Sequence, residues 1–267
     1  MRSSLPARCT AAIATCVARP CARSRLPANC ATIVCRAASL AYGDESMCDG
    51  AAYRQGGPNM LPRRIAIFGL STIYGTADKE CGGFVNRFRL WYESIDGRNR
   101  VYNLGIWGEQ TRRLIQRLPV EAIARRPHLI MVYPGFNDSR RDGGLEASNA
   151  VSIEQFRDLM GELISAAKGV SETVVMTGFP FDETRTTPFS GTNSYYLLHD
   201  AKAYSNELVA AASAQGARIL DFFSIFQNEN MSPLLAEDGL HGNAKCHELL
   251  FPRLRDVRIQ LKRITIR

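Results

Sequence analysis

Ile65-Ala66-Ile67-Phe68-Gly69-Leu70-Ser71 decides the fold: an apolar run, a glycine that stops it, and a serine two positions on. A short continuous apolar segment ended by a turn residue is the pattern of a parallel strand buried on both faces. The pattern recurs along the chain. Val101–Leu104 reads as a second strand and His128–Tyr133 as a third, stopped by Pro134-Gly135; Thr173–Thr177 and Ala217–Phe222 follow. Between them Phe84, Phe88, Leu90 and Trp91 recur at helical spacing. Gln110–Ala124, Ile153–Ala167, Ala201–Ala214 and Ala244–Leu261 also read as helices.

Strands alternating with helices imply right-handed crossovers and an α/β fold, its five-stranded parallel sheet covered on both faces. In such sheets ligands bind beyond the carboxyl ends of the strands. Ser71, Gly108 and Asn137 each fall just past a predicted strand, so residues far apart in sequence converge on one edge.

Each of these residues has a chemical reading and a plainer one. Ser71, in a turn between Gly69 and Gly75, is a nucleophile lifted at a strand-to-helix junction, or a helix cap. Gly108 closes Asn103-Leu-Gly-Ile-Trp-Gly108, where an unobstructed backbone N–H suits a developing oxyanion; a turn glycine is the alternative, and Gly105 competes for the role. Asn137, in Gly135-Phe-Asn-Asp138, offers a neutral carboxamide donor, or simply makes a turn. Asp238 and His241, three residues apart, bring a carboxylate to one imidazole nitrogen and leave the other free as a base. The other histidines, His128, His199 and His247, read as structural.

Taken together, these four segments resemble the SGNH, or GDSL, hydrolases over residues 64 to about 262. The resemblance implies a three-layer α/β/α sandwich with a flavodoxin-like sheet. It also implies a serine esterase working through an acyl-enzyme on small acyl esters, without metal or organic cofactor. Ser71 would be nucleophile, His241 base, Asp238 its orienter, and the Ser71 N–H, Gly108 and Asn137 the oxyanion hole. Esterase, lipase, thioesterase, lysophospholipase and carbohydrate deacetylase activities all occur in such proteins.

The chain departs from the family pattern in places. Leu70 stands where the first block has Asp, Thr72-Ile73 replaces the usual Ile-Thr, and Gly242 follows the histidine in place of Pro. In the family that Asp organises the serine loop by accepting backbone hydrogen bonds. Leu70 cannot, which leaves donors to water or other partners and suggests a slowed enzyme that Leu70→Asp would speed up. The alternative is a catalytically weak or silent binding protein of the same fold. Trp107 beside Gly108, and Phe181, Phe189, Tyr195 and Tyr196 in the connection 180–199, are candidates to contact substrate, or else ordinary packing residues.

The remainder bounds the organisation. Residues 1–63 hold eight Arg, no Lys and three acidic residues, whereas the rest is nearly neutral, with 25 Lys and Arg against 23 Asp and Glu. The basic excess therefore belongs to an extension, taken as residues 1–60 ahead of a domain at 61–267, and gives no support for nucleic-acid binding. That extension carries six of the eight cysteines, none in a Cys-x-x-Cys pair that would suggest zinc. Its first 43 residues, Arg-rich and free of acid, match an organellar transit peptide, with a start at Met47 or Met60 as the competing reading. The expected location is cytoplasmic, or organellar if the transit reading holds. No apolar run reaches the roughly 18 residues of a membrane span, and no glycine-rich nucleotide motif is present. The face formed by Leu254, Val257, Leu261 and Ile264 is expected to dock on the body of the domain.

Overall fold

The computed structural model describes residues 62–264, with side chains as far as Val257. The extension, with both readings of it, lies outside these residues. The elements run β1 (Arg64–Gly69), α1 (Ser71–Tyr74), α2 (Gly83–Ile95), β2 (Arg100–Gly105), α3 (Thr111–Arg125), β3 (Leu129–Tyr133) and β4 (Arg141–Asp142). They continue α4 (Ile153–Lys168), β5 (Glu172–Met176), α5 (Glu183–Thr186), β6 (Ser194–Tyr195), α6 (Leu198–Ala214), β7 (Arg218–Leu220), α7 (Phe222–Phe226), a 3₁₀ turn at Ser232–Leu234, and α8 (Ala244–Ile264).

Five strands form one parallel sheet in the order β2-β1-β3-β5-β7, with β1 near the middle. Alternation along each strand divides the core in two. Ile65 and Ile67 of β1, Leu129, Met131 and Tyr133 of β3, and Val174 and Met176 of β5 face α2 and α8, meeting Phe84, Phe88, Leu250 and Leu254. Ala66 and Phe68, Ile130 and Val132, and Val175 face α3, α4 and α6, meeting Leu114, Leu118, Phe156, Leu163 and Leu208. Burial on both faces is why these strands carry no polar alternation. The result is an α/β/α sandwich.

Some local readings shift. Leu90 is exposed, and the α2 face that meets the sheet is Phe84, Val85, Phe88 and Tyr92. The strand expected over Ala217–Phe222 stops at Leu220. Asp221 ends it, accepting from the Ser224 N–H at 3.1 Å and from Thr177 Oγ1 at 2.9 Å, and so turns Phe222–Phe226 into a helix. The connection 180–199 holds α5 and also β6, which pairs antiparallel with β4. Of the C-terminal apolar face, Leu254 is buried and Val257 packs on the core, while the side chains of Leu261 and Ile264 lie outside the described residues. Among the described residues no helix is long and apolar enough to cross a membrane.

Candidate active site

Ser71 opens α1 directly beyond β1. Its turn is tightly held. Tyr74 N–H donates to Leu70 O at 3.0 Å, and Gly75 N–H, Thr76 N–H and Thr76 Oγ1 all donate to Ser71 O at 2.9–3.1 Å. Asn103 Nδ2 donates to Ile73 O at 2.8 Å, and Ile106 N–H to Gly69 O at 2.9 Å, tying the turn to the end of β2. Leu70 is only 1% exposed and belongs to the apolar cluster with Ile73, Phe84 and Phe179. Threonine, asparagine and main-chain donors hold the carbonyls of this turn, and the leucine adds core.

The glycines separate by their surroundings. A Cβ on Gly105 would run into the backbone of Tyr74, so that glycine lets α1 lie against β2. Gly108 has φ +65°, and a Cβ there would meet nothing within 4 Å. Its glycine serves a left-handed turn on open ground, and of the two it is the one whose surroundings leave room for a ligand.

His241 and Asp238 sit in the segment before α8. Ser71 Oγ is 2.8 Å from His241 Nε2, and His241 Nδ1 is 2.6 Å from Asp238 Oδ2. The other carboxylate oxygen, Oδ1, accepts from the Leu240 and His241 N–H groups, each at 2.9 Å. Burial works to raise the Asp238 pKa, but these bonds and the charge of His241 outweigh it and hold the carboxyl below its ordinary value. A carboxylate only accepts, so Nδ1 carries the ring proton and Nε2 faces Ser71 Oγ as an acceptor.

Asn137 is buried, with Nδ2 donating to Glu109 O at 2.9 Å and Oδ1 accepting from Tyr196 Oη at 3.1 Å. Its neighbour Asp138 accepts from Thr111 N–H at 3.0 Å and Thr111 Oγ1 at 2.9 Å, capping α3 from outside the helix. Burial pushes the Asp138 pKa up against those bonds. The Gly108 loop is anchored through its next residue: Glu109, 4% exposed, accepts from Arg117 Nε at 2.6 Å. Arg117 also donates to Leu104 O at 2.7 Å and lies over the Phe68 ring.

Around the imidazole, Trp107 stacks at 6.2 Å between centroids and Phe189 meets it edge-on at 6.4 Å. Trp107 is 61% exposed. Of the other substrate candidates, Phe181 is buried, packed against Phe136 and Tyr196, because an aromatic ring at that point completes the core. Tyr195 is half-buried on the small ribbon, paired with Arg141. Glu109 and Arg117 are absent from the sequence reading of the site, and Tyr196 enters it only as one aromatic of the 180–199 connection.

The remaining histidines have structural settings. His128 Nδ1 accepts from the Arg63 and Arg64 N–H groups at the far end of the sheet, and exposed His199 lies 3.2 Å from Asp200. His247 is fully buried: Nδ1 accepts from Phe84 N–H at 3.2 Å and Nε2 donates to Thr76 O at 3.1 Å. Cys246 is buried and its thiol pushed up to about 12 by desolvation, so it stays neutral. Among the described residues no cluster of three or more His, Cys, Asp and Glu could hold a metal ion.

Known proteins share this arrangement of layers. A lipase/acylhydrolase from Enterococcus faecalis aligns with a TM-score of 0.61 at 19% identity, over 74% of this chain and 96% of that one. LAE5, an α/β hydrolase from the metagenome of Lake Arreo, Spain, aligns at 0.58 and 18%, over 77% and 99%. A catalytic mutant of Axe2, an acetylxylan esterase from Geobacillus stearothermophilus, aligns at 0.57 and 16%, over 73% and 94%. At such identities the likeness is one of fold. No curated protein matches the sequence. Residues 67–249, which include every group described around Ser71, match the GDSL-like Lipase/Acylhydrolase family. The chain belongs to that family and is an ester-hydrolysing enzyme.

Proposed function

We propose that the chain is a serine esterase that cleaves carboxylic esters through an acyl-enzyme on Ser71. The observation that carries this reading is the unbroken chain from Ser71 Oγ to His241 Nε2, 2.8 Å, and from Nδ1 to Asp238, 2.6 Å. As Oγ attacks the acyl carbonyl, Nε2 takes its proton, and the Asp238 carboxylate stabilises the imidazolium and keeps the ring oriented. The Ser71 N–H, Gly108 N–H and Asn137 Nδ2 then receive the charge on the carbonyl oxygen. His241 returns its proton to the departing alcohol, and a water activated by the same nitrogen releases the acid.

Trp107 and Phe189, the two rings beside His241, flank the reacting centre and contact the substrate. The preferred substrate is a small acyl ester. The relationship to an acetylxylan esterase fold makes acetyl esters the first substrates to try.

A silent binding protein is the weaker reading, because Ser71 lies within hydrogen-bond distance of His241, and His241 of Asp238, despite Leu70. A fluorophosphonate probe distinguishes the two, since it reacts only with an activated serine. Wild type should be labelled and should cleave p-nitrophenyl acetate, and Ser71→Ala should do neither. Unlabelled, inactive wild type would end the esterase reading.

A further inference from the structure

Asn137 is given above as an oxyanion donor, but a carboxamide is an ambiguous group. Rotated by half a turn about its last bond, it would present its oxygen where its N–H₂ should be, and would repel the charge it has to receive. The protein must therefore fix which way round the amide sits, and two contacts act on it. Glu109 O, a carbonyl that can only accept, receives one N–H of Nδ2 at 2.9 Å. On the opposite side, Oδ1 faces the Tyr196 hydroxyl at 3.1 Å. The amide is planar, with its oxygen and two N–H bonds spread around one plane. Pinning the oxygen and one N–H leaves the other N–H a single direction.

We propose that Tyr196 is a positioning residue for the oxyanion hole: its phenol O–H holds Asn137 Oδ1, so that the second Asn137 N–H is presented to the acyl oxygen. This rests on the esterase reading above. Tyr196 is suited to the task by its own restraints. It is 6% exposed, and its ring is gripped edge-to-face by Phe181 at 6.5 Å and Phe189 at 5.6 Å. Its main chain is fixed on both sides, Tyr196 N–H donating to Thr186 O at 3.0 Å and Thr186 Oγ1 donating to Tyr196 O at 2.9 Å. Burial keeps the phenol protonated, hence a donor, against the pull of nearby Arg140. The aromatics of the 180–199 connection thus gain a role beyond packing and substrate contact. Phe181 and Phe189 clamp Tyr196, and Tyr196 orients the amide.

The test is turnover of p-nitrophenyl acetate by wild type, Tyr196→Phe, Asn137→Ala and the double variant. Tyr196→Phe removes one oxygen and keeps the ring. It should lower kcat about ten- to a hundredfold at unchanged KM, less than the roughly hundred- to thousandfold cost of removing a donor outright. In the Asn137→Ala background the same change should cost nothing further, because no amide remains to orient. An unchanged kcat, a rise in KM alone, or an equal loss in both backgrounds would overturn the proposal. Should Tyr196→Phe fail to fold, a ring-fluorinated tyrosine at position 196 keeps the shape and makes the phenol more acidic. Turnover should then fall at alkaline pH where wild type holds steady, and identical profiles would overturn the proposal. A wild type that cleaves no ester would defeat the esterase reading itself, whereas active wild type with an unaffected Tyr196→Phe defeats this inference alone.

Discussion

The indole of Trp107 lies over the imidazole of His241, the rings 24° from parallel, and its outer surface is open to solvent. A large apolar ring so exposed contributes little to the core, yet it stacks on the imidazole proposed as the base. Trp107→Ala should therefore leave stability within about 0.5 kcal/mol while lowering kcat/KM about tenfold. Thermal melting alongside ester kinetics checks this. A large drop in melting temperature with intact kinetics would make the ring a packing element instead.

Leu70→Asp brings the first block back to the family pattern and should nonetheless do harm. The side chain is 1% exposed among Ile73, Phe84 and Phe179. Replacing it with a carboxylate gives up its apolar burial and strands a charge, costing more than about 3 kcal/mol together. Urea unfolding should show the loss. A variant of equal stability and higher turnover would mean that the serine turn does lack an acceptor.

Asp238→Asn keeps the shape of the side chain but presents an N–H₂ that can compel His241 to place its proton on Nε2, the wrong nitrogen. The expected loss in kcat is about 10³- to 10⁴-fold with the fold intact. Kinetics and circular dichroism on the same preparation test it, and a loss under tenfold would remove Asp238 from the catalytic scheme.

His247 sets an acid limit on stability. Desolvation holds its pKa below the ordinary 6.5, outweighing the Thr76 carbonyl and Asp78, which favour the charged ring. A folded pKa below the unfolded one means that the unfolded chain binds more protons as pH falls through 6.5. The stabilisation is thus complete above that value and is lost progressively below it. His128, lowered by burial and by Arg64 and Arg63, adds to the same trend. The melting temperature should decline between pH 7 and pH 5, and less steeply in His247→Gln, which can still accept from Phe84 and donate to Thr76. Parallel slopes in the two proteins would exonerate His247.

The sheet was readable because its central strands are buried on both faces and so appear as unbroken apolar runs at β1, β3 and β5. The residues around Ser71 were readable because each follows such a run or, for Asp238 and His241, forms a short local pair. What escaped is carried by long-range partners of ordinary residue types. Tyr196 meets Asn137 across 59 positions, and Arg117 reaches both Glu109 and the end of β2. Nothing in the local pattern marks Arg117, and Tyr196 stands out only as one of several loop aromatics. Leu70 was only half legible for a related reason: the sequence displays the missing carboxylate but not the cluster of Ile73, Phe84 and Phe179 that buries the leucine. The strand expected to reach Phe222 stops at Leu220, because Asp221 caps a helix that takes Phe222.

Ser71 follows β1, but His241 comes only after β7, on the segment that α8 draws against the body through Cys246, Leu250 and Leu254. Under the proposed mechanism, elements from opposite ends of the described fold must both be seated before Oγ and Nε2 can meet.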